Sequence, residues 1–197
     1  MSDQIPIYLV DIISDVVASV QADVLTAIQA NETAAINLDT QIQTVNYQYG
    51  HKSELIETLY QMDKTDLTAY SKYPCIFLVM DFKETVGGTP GIYANAVLNV
   101  IIMHHSTIDD KTTDRYVKVF KPVLYPLYLS FLKALSKHKA VHVYNVQSLK
   151  HDKYDRPKNL VGNNKNSDEN EMFVNDYVDA IEIQNLNLLI NSSTCIN

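Results

Sequence analysis

Two apolar runs set the terms on which this chain can fold. Cys75 to Phe82 reads CIFLVMDF and Ala96 to His104 reads AVLNVIIMH, and the connection between them contains VGGTPG, whose Gly87-Gly88 and Pro90-Gly91 are turn chemistry. Side chains alternate between faces along a strand, so a run that is apolar on both phases needs cover on both sides of its sheet. We expect two neighbouring buried strands, with helices over one face and a partner subunit as the candidate cover for the other.

The rest of the chain supplies the remaining elements. Leu9, Ile12, Ile13, Val16, Val17, Val20, Val24 and Ile28 form an i, i+3, i+4 stripe between Pro6 and Asn31, with Asp11, Asp15, Ser19 and Asp23 opposite. This predicts an amphipathic surface helix. Residues Ile42 to Tyr49 alternate as a first strand ending at Gly50, and Leu55, Ile56, Leu59 and Tyr60 mark a short helix after Ser53 as N-cap. Arg115 to Leu135 has helical period, yet Pro122 and Pro126 each remove an amide donor and crowd the preceding turn, so a kink or restart is expected there. Val141 to Leu149 reads as a strand, and Tyr177 to Ile190 as a long last one. In that last strand Ile181 and Ile183 share one phase and Leu186, Leu188 and Ile190 the other, which implies a bulge near Gln184-Asn185.

The order α, β, α, β, β, α, β, β predicts an α+β fold: a mostly antiparallel sheet with helices packed on one face. The 197 residues suit a single domain, 1–197, that buries about 70% of its extended-chain surface. Between the last two strands, Lys150 to Asp176 contains the polar tract GNNKNSDENE. Connections this long carry function or lack structure of their own, and we take this one as a protruding arm or hairpin ordered by neighbours. Its candidate contact residues are Lys150, Tyr154, Arg156, Asn163, Asn164, Glu171 and Phe173.

Chemistry is hard to find in the sequence. His104 and His105 precede Asp109 and Asp110, but adjacent strand residues point to opposite faces, and a strand end running into a polar turn accounts for the group better than a metal site. No GxSxG elbow is present, and none of the five glycines stands in GxGxxG or GxxxxGK[ST] order. Cys75 follows Pro74 inside an apolar run and reads as an inert core thiol; Cys195 is a second free thiol, with no CxxC spacing. Pairs such as Asp81 and Glu84, or Asp176 and Asp179, arise by chance among 23 acids and read as solvated surface. Tyr125 and Tyr128 at helical spacing read as core or rim, though tyrosine is also a favoured interface anchor. No catalytic residue, metal ligand or cofactor site is assigned.

A net charge of −7 and a pI near 5.2 disfavour phosphate binding over the whole surface, but suit a wall past which DNA slides without sticking. The start MSDQIPIYLVD has no basic n-region, and no run reaches the ~18 apolar residues of a membrane span, so neither a secretory signal nor a membrane anchor is expected.

The run TTDRYVKVFKPVLYPLYLSFLKAL, followed by a strand and later by VNDYVDAIEIQNLNLLI, resembles bacteriophage proteins of the tail-terminator or neck-ring type. YPCIFLVMDF with YANAVLNVIIMH matches the buried hairpin of that group, and the resemblance in element order runs from Pro6 to Asn191. It implies a non-enzymatic virion protein, made in the host cytoplasm, that closes into a hexameric or dodecameric ring by heterologous contacts with itself. It implies portal, neck or tail-tube proteins as neighbours, and DNA only as a passenger through the lumen. A non-virion interaction module or assembly chaperone uses the same surfaces and is the alternative; a metal-dependent enzyme using His104, His105 and Asp109 ranks below both.

Overall fold

A computed structural model describes residues 8–29, 44–63, 72–87, 92–106, 109–144, 150–155 and 177–191. Six strands form one sheet: β1 (Asn46–Gly50), β2 (Cys75–Val86), β3 (Ile92–Ser106), β4 (Val141–Val143), β5 (Lys150–Asp155) and β6 (Tyr177–Asn191). The order is β1-β2-β3-β6-β4, and β5 lies beside β4 along the same edge of β6. Among the described residues only β1 and β2 run parallel; the other pairs are antiparallel. The fold class is therefore α+β, as the element order implies.

One face is covered along the whole of β3 and β6. Helix α1 (Leu9–Gln29) buries Ile12, Ile13, Val16 and Val20 in one core with Ile76 and Leu78 of β2 and Val100 and Ile102 of β3. A long helical rod completes the layer with Val123, Leu127, Phe131 and Leu135 over Ile181, Ile183, Leu186 and Leu188 of β6. The opposite phase, Cys75, Phe77 and Val79 with Ile101, Met103, Val178 and Ala180, packs beneath Leu55 and Leu59 of helix α2 (Lys52–Asp63). Over this part of the sheet the second cover comes from the chain's own α2, where a partner subunit is the sequence expectation. The physical reason is local: β1 ends at Gly50, and the next residues turn at once onto the free face.

That turn depends on Gly50. Its φ of +150° is one that L side chains rarely adopt, and a Cβ there would lie 2.6 Å from Oε2 of Glu54. The Glu54 carboxylate accepts the His51 N–H at 2.8 Å, while the His51 carbonyl accepts the amides of Glu54 and Leu55. Hence α2 is capped at His51, two residues earlier than the Ser53 cap the sequence suggests.

At the prolines, where the sequence leads one to expect a kink or a restart, the rod changes its helix type. It begins as one α-turn, α3 (Thr112–Arg115), widens into a π-helical stretch over Tyr116–Leu124, and continues as α4 (Tyr125–Lys137). Pro122 sits inside the π-helical stretch and Pro126 in the first turn of α4. The Tyr125 amide donates to Phe120 O, five residues back, so the wider turn makes room for rings that an α-turn would reject. The helix absorbs both prolines and keeps its apolar face on the sheet.

In β6 the break falls at Asn185, which has φ 52° and interrupts the register with β3 between Leu98 and Val100. The extra residue lets Ile181 and Ile183 share a face with Leu186, Leu188 and Ile190, although the two sets stand on opposite phases. The Asn99 side chain fixes the bulge by accepting the Asn185 amide at 2.8 Å. Along the other edge, the strand expected over Val141–Leu149 is paired only at Val141–Val143, with Tyr144 in a turn and 145–149 outside the described residues.

Candidate interaction surfaces

The arm expected at 150–176 begins inside the sheet. Lys150–Asp155 pairs with Asp179–Gln184 of β6, so Lys150 stands opposite Gln184 and Tyr154 opposite Ala180. Lys150 is exposed. Arg156, Asn163, Asn164, Glu171 and Phe173 lie outside the described residues, as does Cys195. The sequence KHDKYD lacks the apolar alternation of a strand, because its inward residues pack on ring systems in place of aliphatics. His151 meets Tyr128, ring centroids 5.0 Å apart with 3.2 Å between Tyr128 OH and His151 Nδ1. Lys153 places its ammonium 4.4 Å from the centre of the Tyr125 ring and donates to the Tyr125 hydroxyl. Tyr125 also packs against Phe120 and Tyr116, so β5 is fastened to the helical rod by a seam of aromatic rings. Burial raises the Tyr128 phenol above its usual range, opposed by the Lys153 charge.

A charged cluster lies deeper. Arg115, 1% exposed, donates to Oδ1 of Asp179, 0% exposed, at 2.7 Å. It also donates to Ser106 Oγ at 3.0 Å and to the Asp110 carbonyl at 3.1 Å. The Asp110 carboxylate in turn takes Lys118 at 2.5 Å, and that hydrogen bond raises the lysine's affinity for its proton. The arrangement ties the start of the rod and the end of β3 to β6, so its direct effect is to hold the helix on the sheet. The sequence carried a signal for it: Asp179 shares a phase with Ile181 and Ile183, a carboxylate in line with core residues.

The histidine group separates as strand geometry requires. His104 lies opposite Asp179 on the rod-covered face, with Nδ1 enclosed and unbonded. Burial, with the neighbouring His105, lowers its pKa to about 3, so it is neutral at physiological pH. His105 and Asp109 are exposed. Among the described residues no group of three or more His, Cys, Asp or Glu side chains is placed to hold a metal. Cys75 is fully enclosed, and burial pushes its thiol up to about 12, which leaves no thiolate for chemistry. Asp81 and Glu84 are both exposed, and Asp81 lies 3.3 Å from His51 Nδ1.

The sheet's edges and the part of its second face that no described residue covers are the remaining surfaces. Beyond α2 that face presents Ile92, Asn95 and Val97 of β3 beside Asn187, Leu189 and Asn191 of β6, all half-buried. Asn95 and Asn187 each keep a buried side-chain oxygen without a hydrogen-bond partner among the described residues. On the rod, Tyr116, Val117 and Leu129 are large apolar side chains open to solvent. No helix among the described residues is long and apolar enough to cross a membrane. Compared with protein-family models, curated proteins and solved structures, the chain matches none of them.

Proposed function

We propose that this chain is a structural subunit that works by binding copies of itself and neighbouring proteins, as a ring component at the neck or tail top of a bacteriophage. The observation that carries the reading is the β5–β6 ladder. It sets Asp155 opposite Asp179, so the polar connection over 156–176 leaves the sheet and returns to it on adjacent antiparallel strands. A long polar segment anchored at both ends beside a rigid seam is suited to reaching a neighbour. The half-covered second face and the open apolar side chains of the rod add surface for the same purpose. The acidic balance of the chain accords with a lumen through which DNA passes without adhering.

Quantitative mass spectrometry of purified phage particles tests the reading. A copy number in the range of a ring, together with a ring-sized species in native mass measurement, is the expected result. Absence from particles combined with transient association during assembly would replace it by the chaperone alternative. Deleting Gly162 to Glu171 is expected to preserve the fold and to block assembly; normal assembly by that variant overturns the role given to the arm.

A further inference from the structure

The two edges of the sheet differ in a way that fits one to the other. At β1 the Asn46 amide donates to Pro74 O at 2.9 Å, so the alternation of a parallel ladder directs the main-chain groups of Tyr47 and Tyr49 outward. No strand pairs on that outer side among the described residues. The sequence NYQYG has neither charge nor proline, the usual devices that protect an edge, and Tyr49 is 56% exposed. Exposed carboxylates stand on the helices next to it: Asp11 on α1, near enough to raise the Tyr47 phenol, and Glu57 on α2, the helix that follows β1 in the chain. The opposite edge is basic. Lys150 and Lys153 stand on β5, and Lys121 and Lys133 lie on the rod, one turn before and two turns after Tyr125. Asp152, which accepts from Gln184 Nε2 at 2.7 Å, and Asp155 balance the two lysines of β5 itself, so the excess of positive charge along this edge comes from Lys121 and Lys133 of the rod.

We propose that the chain associates head to tail with a second copy of itself, the β1 edge of one subunit adding to the β5 edge of the next so that the sheet continues between them. The strands are of similar length, five and six residues, and Tyr49 and Lys153 both stand on the helix-covered face, so a continuous sheet sets them on the same side. Opposite charge at the two ends of one sheet favours the unlike contact and disfavours β1 on β1, where carboxylates would meet. Unlike contacts of this kind close rings, so the inference rests on the ring reading and names the surface it uses.

Cysteine cross-linking of the full-length chain tests it, in a Cys195→Ser background with a short bis-maleimide. Tyr49→Cys with Lys153→Cys in one chain should give a ladder extending beyond dimers, while each single variant gives none. If Lys153→Cys disturbs the tyrosine seam, Gln48→Cys with Lys150→Cys repeats the test on the other face. Asp11→Lys with Glu57→Lys should weaken association about tenfold, and adding Lys121→Glu with Lys150→Glu should restore most of it. Dimers from Tyr49→Cys alone, or an oligomer by light scattering whose paired cysteines do not cross-link, overturn the edge assignment and leave the ring reading standing. A chain that stays monomeric at every concentration overturns both.

Discussion

The rod-covered face and the α2 face share the same strands, yet along β3 and β6 one is closed from end to end and the other over half its length. On β3 the first phase reads Ala94, Ala96, Leu98, Val100 and Ile102, buried throughout. The second phase reads Asn95, Val97 and Asn99 before it becomes Ile101 and Met103, and the change to an unbroken apolar run marks where α2 begins to cover it. Thus the extent of cover is written in the second phase of the strand, residue by residue. The closed face builds the domain; the half-closed face leaves polar, half-buried ground for contact.

The sharpest test of this asymmetry concerns the charge locked beneath the rod. Asp179→Ala leaves Arg115 enclosed without its carboxylate, and removal of one member of a buried pair costs about 3–5 kcal/mol. Urea denaturation should show the loss as a lowered midpoint, with Asp179→Asn less affected. A loss under about 1 kcal/mol would mean that the rod is held by its apolar face alone.

Next come matched truncations on the two faces. Phe131→Ala on the rod should cost about 3–5 kcal/mol and Leu59→Ala on α2 about 2–3 kcal/mol, since the α2 layer is thinner and freer to collapse around a deletion. Equal losses, measured by the same denaturation curves, would break the comparison and make α2 as much a core element as the rod.

A pH effect follows from His104. The folded state binds its proton only near pH 3, whereas the unfolded chain does so near 6.5, so between these values the unfolded state takes up the extra proton. This contribution is fully present above about 6.5 and is lost progressively as pH falls toward 3, with a slope approaching about 1.4 kcal/mol per pH unit. His104→Leu removes it without removing a hydrogen bond from Nδ1, and should flatten the acid limb of stability against pH relative to the parent chain. An unchanged limb would show that the imidazole charges freely in the folded protein.

How much of this was legible beforehand can be argued from particular residues. The phase switch at Asn185 could be counted directly, because core residues on both sides of it had to reach one face. The double cover of CIFLVMDF was equally plain, but its source was not: Leu55 and Leu59 show that α2 packs on something, and periodicity does not say which face. Pro122 and Pro126 argue against an α-helix and are silent about a π-helix, whose wider turn escapes the same clash. The strand β5 escaped notice because His151 and Lys153 find their partners in Tyr128 and Tyr125, far away in sequence. Solvated surface is the default for a pair such as Asp176 and Asp179, a rule that fails for Asp179 because Arg115 supplies its counter-charge in the core.

The smallest effect expected is the one that divides folding from assembly. Leu129 is 61% exposed on the rod, on the side turned away from the sheet, so Leu129→Ser should change stability by no more than about 0.5 kcal/mol. Its neighbours at one-turn spacing, Tyr125 and Lys133, belong to the basic flank of β5, which makes Leu129 the apolar centre of that flank. Association measured by light scattering should therefore weaken in Leu129→Ser while the denaturation midpoint stays in place. A midpoint that falls by more than about 1 kcal/mol would return Leu129 to the fold, and unchanged association would move the contact to the half-covered face around Asn95 and Asn187.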